Sequence, residues 1–175
     1  MAEYLLLKCL GCEFYSPFTY SSLGFLYRDM GKTKNAIALF KRALEQKASH
    51  SALVAFELAK LIGREGMISE SIEYFTISLK LTEKDIIEST GLEMSLAIRK
   101  RSEILMHRSC AYEALGLKDI QARDIIEIAR SDETFRIRYI EEGKRLLKEG
   151  FPLKAEKIRK FITKMDKLMA INQPF

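Results

Sequence analysis

Two cysteines near the start of the chain, Cys9 and Cys12, are separated by two residues, the spacing of a redox pair or of half a metal site. A redox pair works at a helix N-terminus that follows a strand, because that position lowers the pKa of the thiol. No strand pattern precedes Cys9. A structural zinc site needs four ligands, and Cys110, His50 and His107 lie far off without paired spacing. We therefore expect no metal and interpret both cysteines as small apolar residues.

A second catalytic candidate is a Cys–His pair, since His107 and Cys110 lie one helical turn apart. No orienting carboxylate or oxyanion-binding motif accompanies them, and the sequence has no glycine-rich phosphate-binding motif. The sequence therefore does not indicate an enzyme, and we expect neither catalytic residues nor a bound cofactor.

The composition favours one helical domain. The chain has 175 residues, 47% hydrophobic and 30% charged, with only 3 prolines and 9 glycines. The longest apolar cluster near the start, residues 4–7, is too short to span a bilayer and lacks the basic flank of a secretory signal. Together with an odd, sparse set of three cysteines, this favours a reducing compartment. We expect a cytoplasmic protein without a membrane span.

The elements that would position a binding site are indicated by a recurrent order of large, small and glycine residues. Its first set is Tyr20, Leu23, Gly24 and Tyr27, then Gly31, then Ala36, Phe40 and Ala43. This order resembles a tetratricopeptide repeat (TPR), a helix–turn–helix unit of about 34 residues with the pattern W-x-x-L-G-x-x-Y…A-x-x-x-F…P. A second set follows: Leu58, Ala59, Ile62 and Gly66, then Ser71, Phe75 and Ser78.

Two further units match less closely. The third has Ala111, Tyr112 and Gly116 at the end of its first helix, but Arg108 and Ser109 replace the usual Leu-Gly pair. Its second helix matches through Ala122, Ile126 and Ala129 only if the turn carries an extra residue. The fourth unit has Tyr139, Gly143, Leu146, Gly150 and Ala155, with its large second-helix position taken by Arg159, Ile158 or Ile162.

The resemblance implies an all-α, right-handed solenoid, or superhelix, of three to four TPR-like helix pairs, because such units stack to bury their apolar faces. The repeats cover about 17–50, 52–84, 90–131 and 135–169 within a domain of residues 17–170. Residues 1–16 form an N-terminal helix or the remnant of a preceding repeat, and residues 171–175 form a tail.

The wider spacing between the second and third units predicts a long helix. Thr90 and Glu93 have the spacing of a capping box, and neither Gly nor Pro occurs from Leu92 to Leu115. We expect one extended helix of about 24 residues, roughly 36 Å long. The alternative is a short separate helix over residues 84–89.

The resemblance further implies a non-enzymatic protein–protein interaction scaffold that binds a peptide or helix of a partner in a concave groove lined by the first helix of each pair. The groove residues are then Phe18, Ser21, Phe25, Arg28, Phe56, Lys60, Arg64, Met106, Cys110, Glu113, Ile140, Lys144 and Lys148. Phe25, Phe56 and Met106 would hold apolar side chains, while Arg28, Lys60, Lys144 and Lys148 would pair with carboxylates. Alternatively, the phenylalanines complete the core.

Known co-chaperone grooves bind a terminal carboxylate through Lys, Asn and Arg. At those positions this chain has Ser21, Phe25 and Glu57, and a glutamate would repel that ligand. The sequence therefore argues against a chaperone clamp.

Nearly all of the +5 net charge is local to the C-terminal part of the chain. Five lysines share one face of the last helix: Lys154, Lys157, Lys160, Lys164 and Lys167. This possible basic patch would suit RNA or an anionic surface. More often, a row of lysines on a helix is simply a face exposed to solvent. A third interpretation is a structural assembly subunit that self-associates as a homo-oligomer.

Overall fold

The computed structural model describes residues 17–46, 51–88 and 91–171, together with Tyr4 and Lys8. Every element in these ranges is an α-helix, which confirms the all-α prediction. The predictions for Cys9, Cys12, His50, the capping residue Thr90 and the 172–175 tail fall outside the described residues, as do nearly all positions of the N-terminal segment 1–16.

Eight helices in the described ranges form four consecutive pairs. They are α1 (Pro17–Asp29) with α2 (Thr33–Glu45), α3 (Ser51–Arg64) with α4 (Ile68–Glu88), α5 (Gly91–Ala114) with α6 (Lys118–Ser131), and α7 (Phe135–Lys148) with α8 (Pro152–Ile171). The chain divides into two compact units, residues 1–87 and 88–175. Each unit thus holds two of the helix pairs.

The same turn joins the two helices of each pair. A glycine with positive φ stands at its centre: Gly31, Gly66, Gly116 and Gly150, with φ between 71° and 86°. Side chains rarely adopt this conformation, so glycine is the residue of choice. The amide of the following residue donates to a carbonyl five positions earlier in all four turns, as Lys32 does to Tyr27 at 2.8 Å. The turn glycines thereby set a common register for the four pairs.

The core of the first unit follows from that register. Phe40 lies on the first pair's small residue, Gly24, so closely that a Cβ there would be 2.6 Å from the ring. This contact lets α1 and α2 approach, and α3 packs against α2. The cluster of buried residues is Leu23, Tyr27, Ala36, Phe40, Ala43, Val54, Leu58, Leu61 and Ile62.

The register of α6 corrects one prediction. Placing Ala122, Ile126 and Ala129 toward the core is wrong by one residue, because the turn at Gly116 carries no insertion and has the same hydrogen bonds as the other three. The residues one position earlier, Gln121, Ile125 and Ile128, are nearly fully buried, and so is Asp124.

The lengths of α4 and α5 agree in part with the helix lengths predicted from the sequence. α5 has 24 residues, the length predicted for an extended helix. α4 is also long: it has 21 residues and continues past residue 84, the expected end of its repeat. Residues 84–88 belong to α4, so the alternative of a separate short helix there is wrong.

Candidate functional site

Two of the residues predicted to line the groove of the first unit are buried. Ser21 is nearly enclosed and donates its hydroxyl to the Phe18 carbonyl oxygen at 2.9 Å. Phe56 is buried, with its ring centroid 6.0 Å from that of Phe75 on α4. The reason for the difference at Phe56 is that α3 is buried over consecutive positions, residues 54–59, so almost no free face remains.

The cations predicted to capture a partner's carboxylate bind a carboxylate of the chain itself. Glu57 accepts from Arg28 Nη1 at 3.1 Å and from Lys60 Nζ at 2.9 Å. The Arg28 guanidinium also lies 5.0 Å from the centroid of the Phe25 ring. Glu57 therefore neutralises these cations within the first unit and ties α3 to α1.

Three other predicted residues of this unit keep some exposure. Phe18 is exposed, and Phe25 is half-buried with its ring edge toward Phe40, 5.0 Å between centroids. Arg64 is exposed near the end of α3. Phe18 and Phe25 thus offer apolar surface on α1. Arg64 lies on another helix, at the C-terminal end of α3.

In the second unit, two predicted groove residues of α5 do line a cleft, Met106 and Cys110. This cleft of about 530 Å³, which we call the Met106 cleft, has walls from three helices. Its lining is Glu103, Met106 and Cys110 from α5, Arg138, Tyr139 and Glu142 from α7, and Lys157, Ile158 and Phe161 from α8.

Burial and ion pairing determine the electrostatics of the Met106 cleft. Burial, aided by Glu113, raises the pKa of the Cys110 thiol, so the nucleophilic thiolate is disfavoured at neutral pH. Burial likewise raises the pKa of Tyr139 well above its ordinary value. Arg138 is held by the Asp132 carboxylate. Lys157 is exposed, and no ion pair among the described residues involves it.

A second, separate cleft of about 660 Å³ lies between α7 and α8. We call it the α7–α8 groove. Ile140 and Lys144, predicted to share a groove with Met106, line this cleft instead. Its apolar lining also includes Gly143, Leu147, Pro152, Leu153, Ala155, Ile158 and Ile162, while Arg136, Glu156, Arg159, Thr163 and Asp166 supply polar atoms.

The remaining predicted groove residues lie outside both clefts. Lys148 is exposed near the end of α7. Glu113 is exposed on α5 and forms an ion pair with Lys164 of α8 at 3.0 Å. The predicted set is therefore divided between two clefts and the surface around them.

The five lysines of α8 have different surroundings. Lys154 lies over the Phe151 ring at 4.7 Å, and Lys160 is 4.0 Å from Glu156. Lys157 lines the Met106 cleft, and Lys167 is exposed beside a shallow depression of about 240 Å³ that Lys160 and Lys164 also border. Lys164 donates to Glu113 and to the buried Gln121. It therefore joins α8 to α5 and α6.

Sequence reasoning missed the contribution of α8 to the Met106 cleft. The groove that the resemblance implies is lined by the first helix of each pair, so the predicted groove contains no residue of α8. A signal was available, since Lys157 and Phe161 are four residues apart and share one face of a helix. Both residues line the Met106 cleft.

The described ranges contain neither a metal-binding cluster nor a membrane-spanning helix. No group of three or more His, Cys, Asp or Glu side chains there could hold a metal ion. None of the helices described combines the length and apolar character needed to cross a membrane.

These helix pairs define an α-helical repeat protein. Residues 19–50 match the family model described as a tetratricopeptide repeat. The chain has the fold of TPR proteins, as its sequence pattern predicts. No curated protein matches it significantly in sequence.

Two solved structures share this fold at low sequence identity. The crystal structure of MamA aligns with a TM-score of 0.63 and 16% identity over 96% of this chain and 88% of that one. The crystal structure of BtubC (BKLC) from P. vanneervenii aligns with a TM-score of 0.58 and 14% identity, over 99% of this chain and 74% of that one. At such identities the likeness concerns the fold alone.

Proposed function

We propose that this chain is a non-enzymatic protein-interaction module that binds a segment of a partner protein in the Met106 cleft. The observation that carries the proposal is a cleft of about 530 Å³ with apolar walls and an exposed cation, Lys157, that takes part in no ion pair within the described ranges. Binding sites for peptide segments combine apolar pockets with a few placed polar groups. The TPR fold supports the same conclusion, since stacked helix pairs present such surfaces.

The lining indicates the chemistry of the bound segment. Met106, Ile158 and Phe161 provide surface for one or two aliphatic or aromatic side chains, and a methionine adapts to different shapes. Lys157 is placed to meet a carboxylate of the segment, whereas Arg138 is already held by Asp132. The preferred partner therefore carries an acidic residue next to large apolar ones.

The proposal is tested by selecting binders from a display library of short random peptides on the full chain. We expect enriched peptides with an acidic residue beside apolar ones. Lys157→Glu should weaken their binding about tenfold, the cost of one charge-assisted contact. Lys167→Glu is the matched control, because it changes the same charge on the same helix outside the cleft.

A second variant, Met106→Glu, tests the apolar part of the cleft and should also reduce binding. Failure to select any peptide, or equal affinity of wild type, Met106→Glu and Lys157→Glu for the selected peptides, would overturn the proposal. A loss of affinity with Lys167→Glu as large as that with Lys157→Glu would show that general charge drives binding, and would also overturn it.

A further inference from the structure

The fourth helix pair differs from the other three at one packing position. Nine residues after the turn glycine, the first three pairs have Phe40, Phe75 and Ile125, all buried. The fourth pair has Arg159, whose side chain is 72% exposed and pairs with Glu156 at 2.7 Å. Ile158 faces Gly143 where the Phe40 ring faces Gly24 in the first pair, and a cleft of about 660 Å³ remains beside it between α7 and α8.

The first pair shows what normally covers this side of a helix pair. There, α3 packs on α2 and is tied to α1 by the ion pair between Glu57 and Arg28. Val54, Leu58 and Ile62 of α3 join the same buried cluster as Phe40. In the first unit, the helix that follows the pair thus buries an aliphatic face against it.

The turn glycines make the first and fourth pairs directly comparable. Counted back from Gly31, four α1 residues are Ser21, Gly24, Phe25 and Arg28, of which Arg28 contacts α3 through Glu57. Counted back from Gly150, their equivalents in α7 are Ile140, Gly143, Lys144 and Leu147. All four of the latter residues line the α7–α8 groove. The groove therefore includes Leu147, the counterpart of the α1 residue that contacts α3.

The α7–α8 groove is open and apolar. All of the residues that line the groove belong to α7 or α8. At its rim, Leu147 is 59% and Leu153 80% exposed. Exposed leucines side by side around an apolar cleft are the usual mark of an interaction surface.

Charge indicates which helix fits. In the first pair, Glu57 of α3 forms an ion pair with Arg28 of α1. The residue of α7 that corresponds to Arg28 is Leu147, which has Lys148 next to it and Lys144 one turn earlier. Lys144 forms an ion pair with Glu141 that is exposed on both sides, and such a pair costs little to give up. A helix seated here would therefore be favoured by a carboxylate facing these lysines.

The geometry points to a second binding site, distinct from the Met106 cleft. The α7–α8 groove binds an amphipathic α-helix of a partner protein, seated as α3 is seated on α1 and α2. The helix presents aliphatic residues with the spacing of Val54, Leu58 and Ile62, together with an acidic residue toward Lys144 and Lys148. The site is independent of the proposed function, since it shares only Ile158 with the other lining.

The probe for this site is a labelled peptide of residues 51–64, the sequence of α3, titrated into the full chain by fluorescence anisotropy. We expect saturable binding that falls at least tenfold in the double variant Leu147→Glu/Leu153→Glu, whose positions are exposed. Met106→Glu is the control and should leave the affinity unchanged. A peptide with Leu58→Asp should fail to bind, because its aliphatic face is broken.

A charge exchange provides a second test that leaves the leucines in place. Lys144→Glu/Lys148→Glu should weaken binding of the peptide, and a Glu57→Lys peptide should bind this variant better than the original peptide does. No binding of the original peptide, undiminished binding to the leucine variant, or a loss with Met106→Glu would overturn the inference. Self-association of the chain that Leu147→Glu/Leu153→Glu abolishes would make a second copy the occupant, and would overturn it as well.

Discussion

The Arg108 guanidinium makes two hydrogen bonds to the Asp124 carboxylate, with 2.9 Å from Nε to Oδ2 and 2.7 Å from Nη2 to Oδ1. Both side chains are largely buried, at 15% and 4% exposure. Arg108 stands eight residues before the turn glycine, where the first two pairs have Leu23 and Leu58. The third pair thus replaces an aliphatic contact between its helices with a bidentate ion pair.

Because of this ion pair, we expect mutations at Arg108 and Asp124 to have strongly non-additive effects on the free energy of unfolding. Asp124→Ala leaves a buried cation without its partner, so we expect the free energy of unfolding to fall by about 3–5 kcal/mol. Arg108→Leu/Asp124→Leu removes both charges and supplies apolar bulk, and it should recover most of that loss. Urea denaturation followed by circular dichroism measures both. A double variant no more stable than Asp124→Ala would contradict this account.

The approach of α1 and α2 at Gly24 gives a second prediction. A Cβ at Gly24 would lie 2.6 Å from Phe40, whereas one at Gly143 would lie 3.5 Å from Ile158, an ordinary contact. Gly24→Ala should destabilise the fold by about 1–3 kcal/mol through overpacking. Gly143→Ala, the control, should be neutral or stabilising by up to about 1 kcal/mol, because alanine favours the helix. Thermal melts that rank the two variants in the opposite order would refute the packing described for Gly24.

Much of the fold could be predicted from the sequence because its main signals are local. The turn glycines and the small residue Gly24 have steric roles that any helix pair of this kind imposes. The register of α6 could not be predicted, because Gln121 and Asp124 occupy buried positions that the pattern reserves for apolar residues. Their partners are Lys164 and Arg108, and a one-dimensional pattern does not reveal which polar groups meet.

The predicted groove residues were limited in the same way, because a sequence pattern does not show which charged groups pair within the chain. Glu57 was interpreted as a repulsive group facing a bound carboxylate, yet it is the acceptor for Arg28 and Lys60. Whether a cation is available to a partner depends on what its own chain places within hydrogen-bond distance. The resemblance to the TPR family and the helical spacing together predict groove positions for Met106 and Cys110, and both residues line a cleft because the free face of a helix is a local property.

Lys164 provides a third prediction, because the structure assigns it a role in packing. It bonds Glu113 of α5 and the buried Gln121 of α6, so Lys164→Ala leaves a buried amide without its partner. We expect a loss of about 1–3 kcal/mol in unfolding free energy. Lys167→Ala, three residues further along the exposed face, should change stability by less than about 0.5 kcal/mol. Equal midpoints of urea unfolding for the two variants would show that Lys164 has no role in packing.

The RNA-binding interpretation of α8 leads to a fourth prediction. Five available lysines would give a slope near −3.5 in the logarithm of affinity against that of salt concentration, at about −0.7 per phosphate of a single strand. Lys164 is committed to packing and Lys160 lies near Glu156. We therefore expect a slope no steeper than about −2 for a labelled single-stranded RNA. A slope near −3.5 would favour the RNA interpretation over ours.

The thiol of Cys110 provides a direct report on the Met106 cleft and its pH dependence. Because burial raises its pKa, the thiolate fraction in the folded chain is below that of the urea-unfolded chain at any pH below the raised pKa. Alkylation by iodoacetamide should therefore be slower in the folded chain at pH 7–8, and its rate should level off at a higher pH than in the unfolded one. Mass spectrometry of the peptide containing Cys110 separates it from Cys9 and Cys12.

Occupancy of the cleft should slow the same reaction further. Cys110 lines the Met106 cleft, so a selected peptide at saturation should protect it, whereas the α3 peptide in the α7–α8 groove should leave its rate unchanged. Ser131→Cys, at an exposed position of α6 outside both clefts, supplies the matched control thiol. If saturating peptide protected both thiols equally, the peptide would not be bound in the cleft. If it protected only the thiol of Cys110, the bound segment would lie against the α5 wall, where helix periodicity placed the groove.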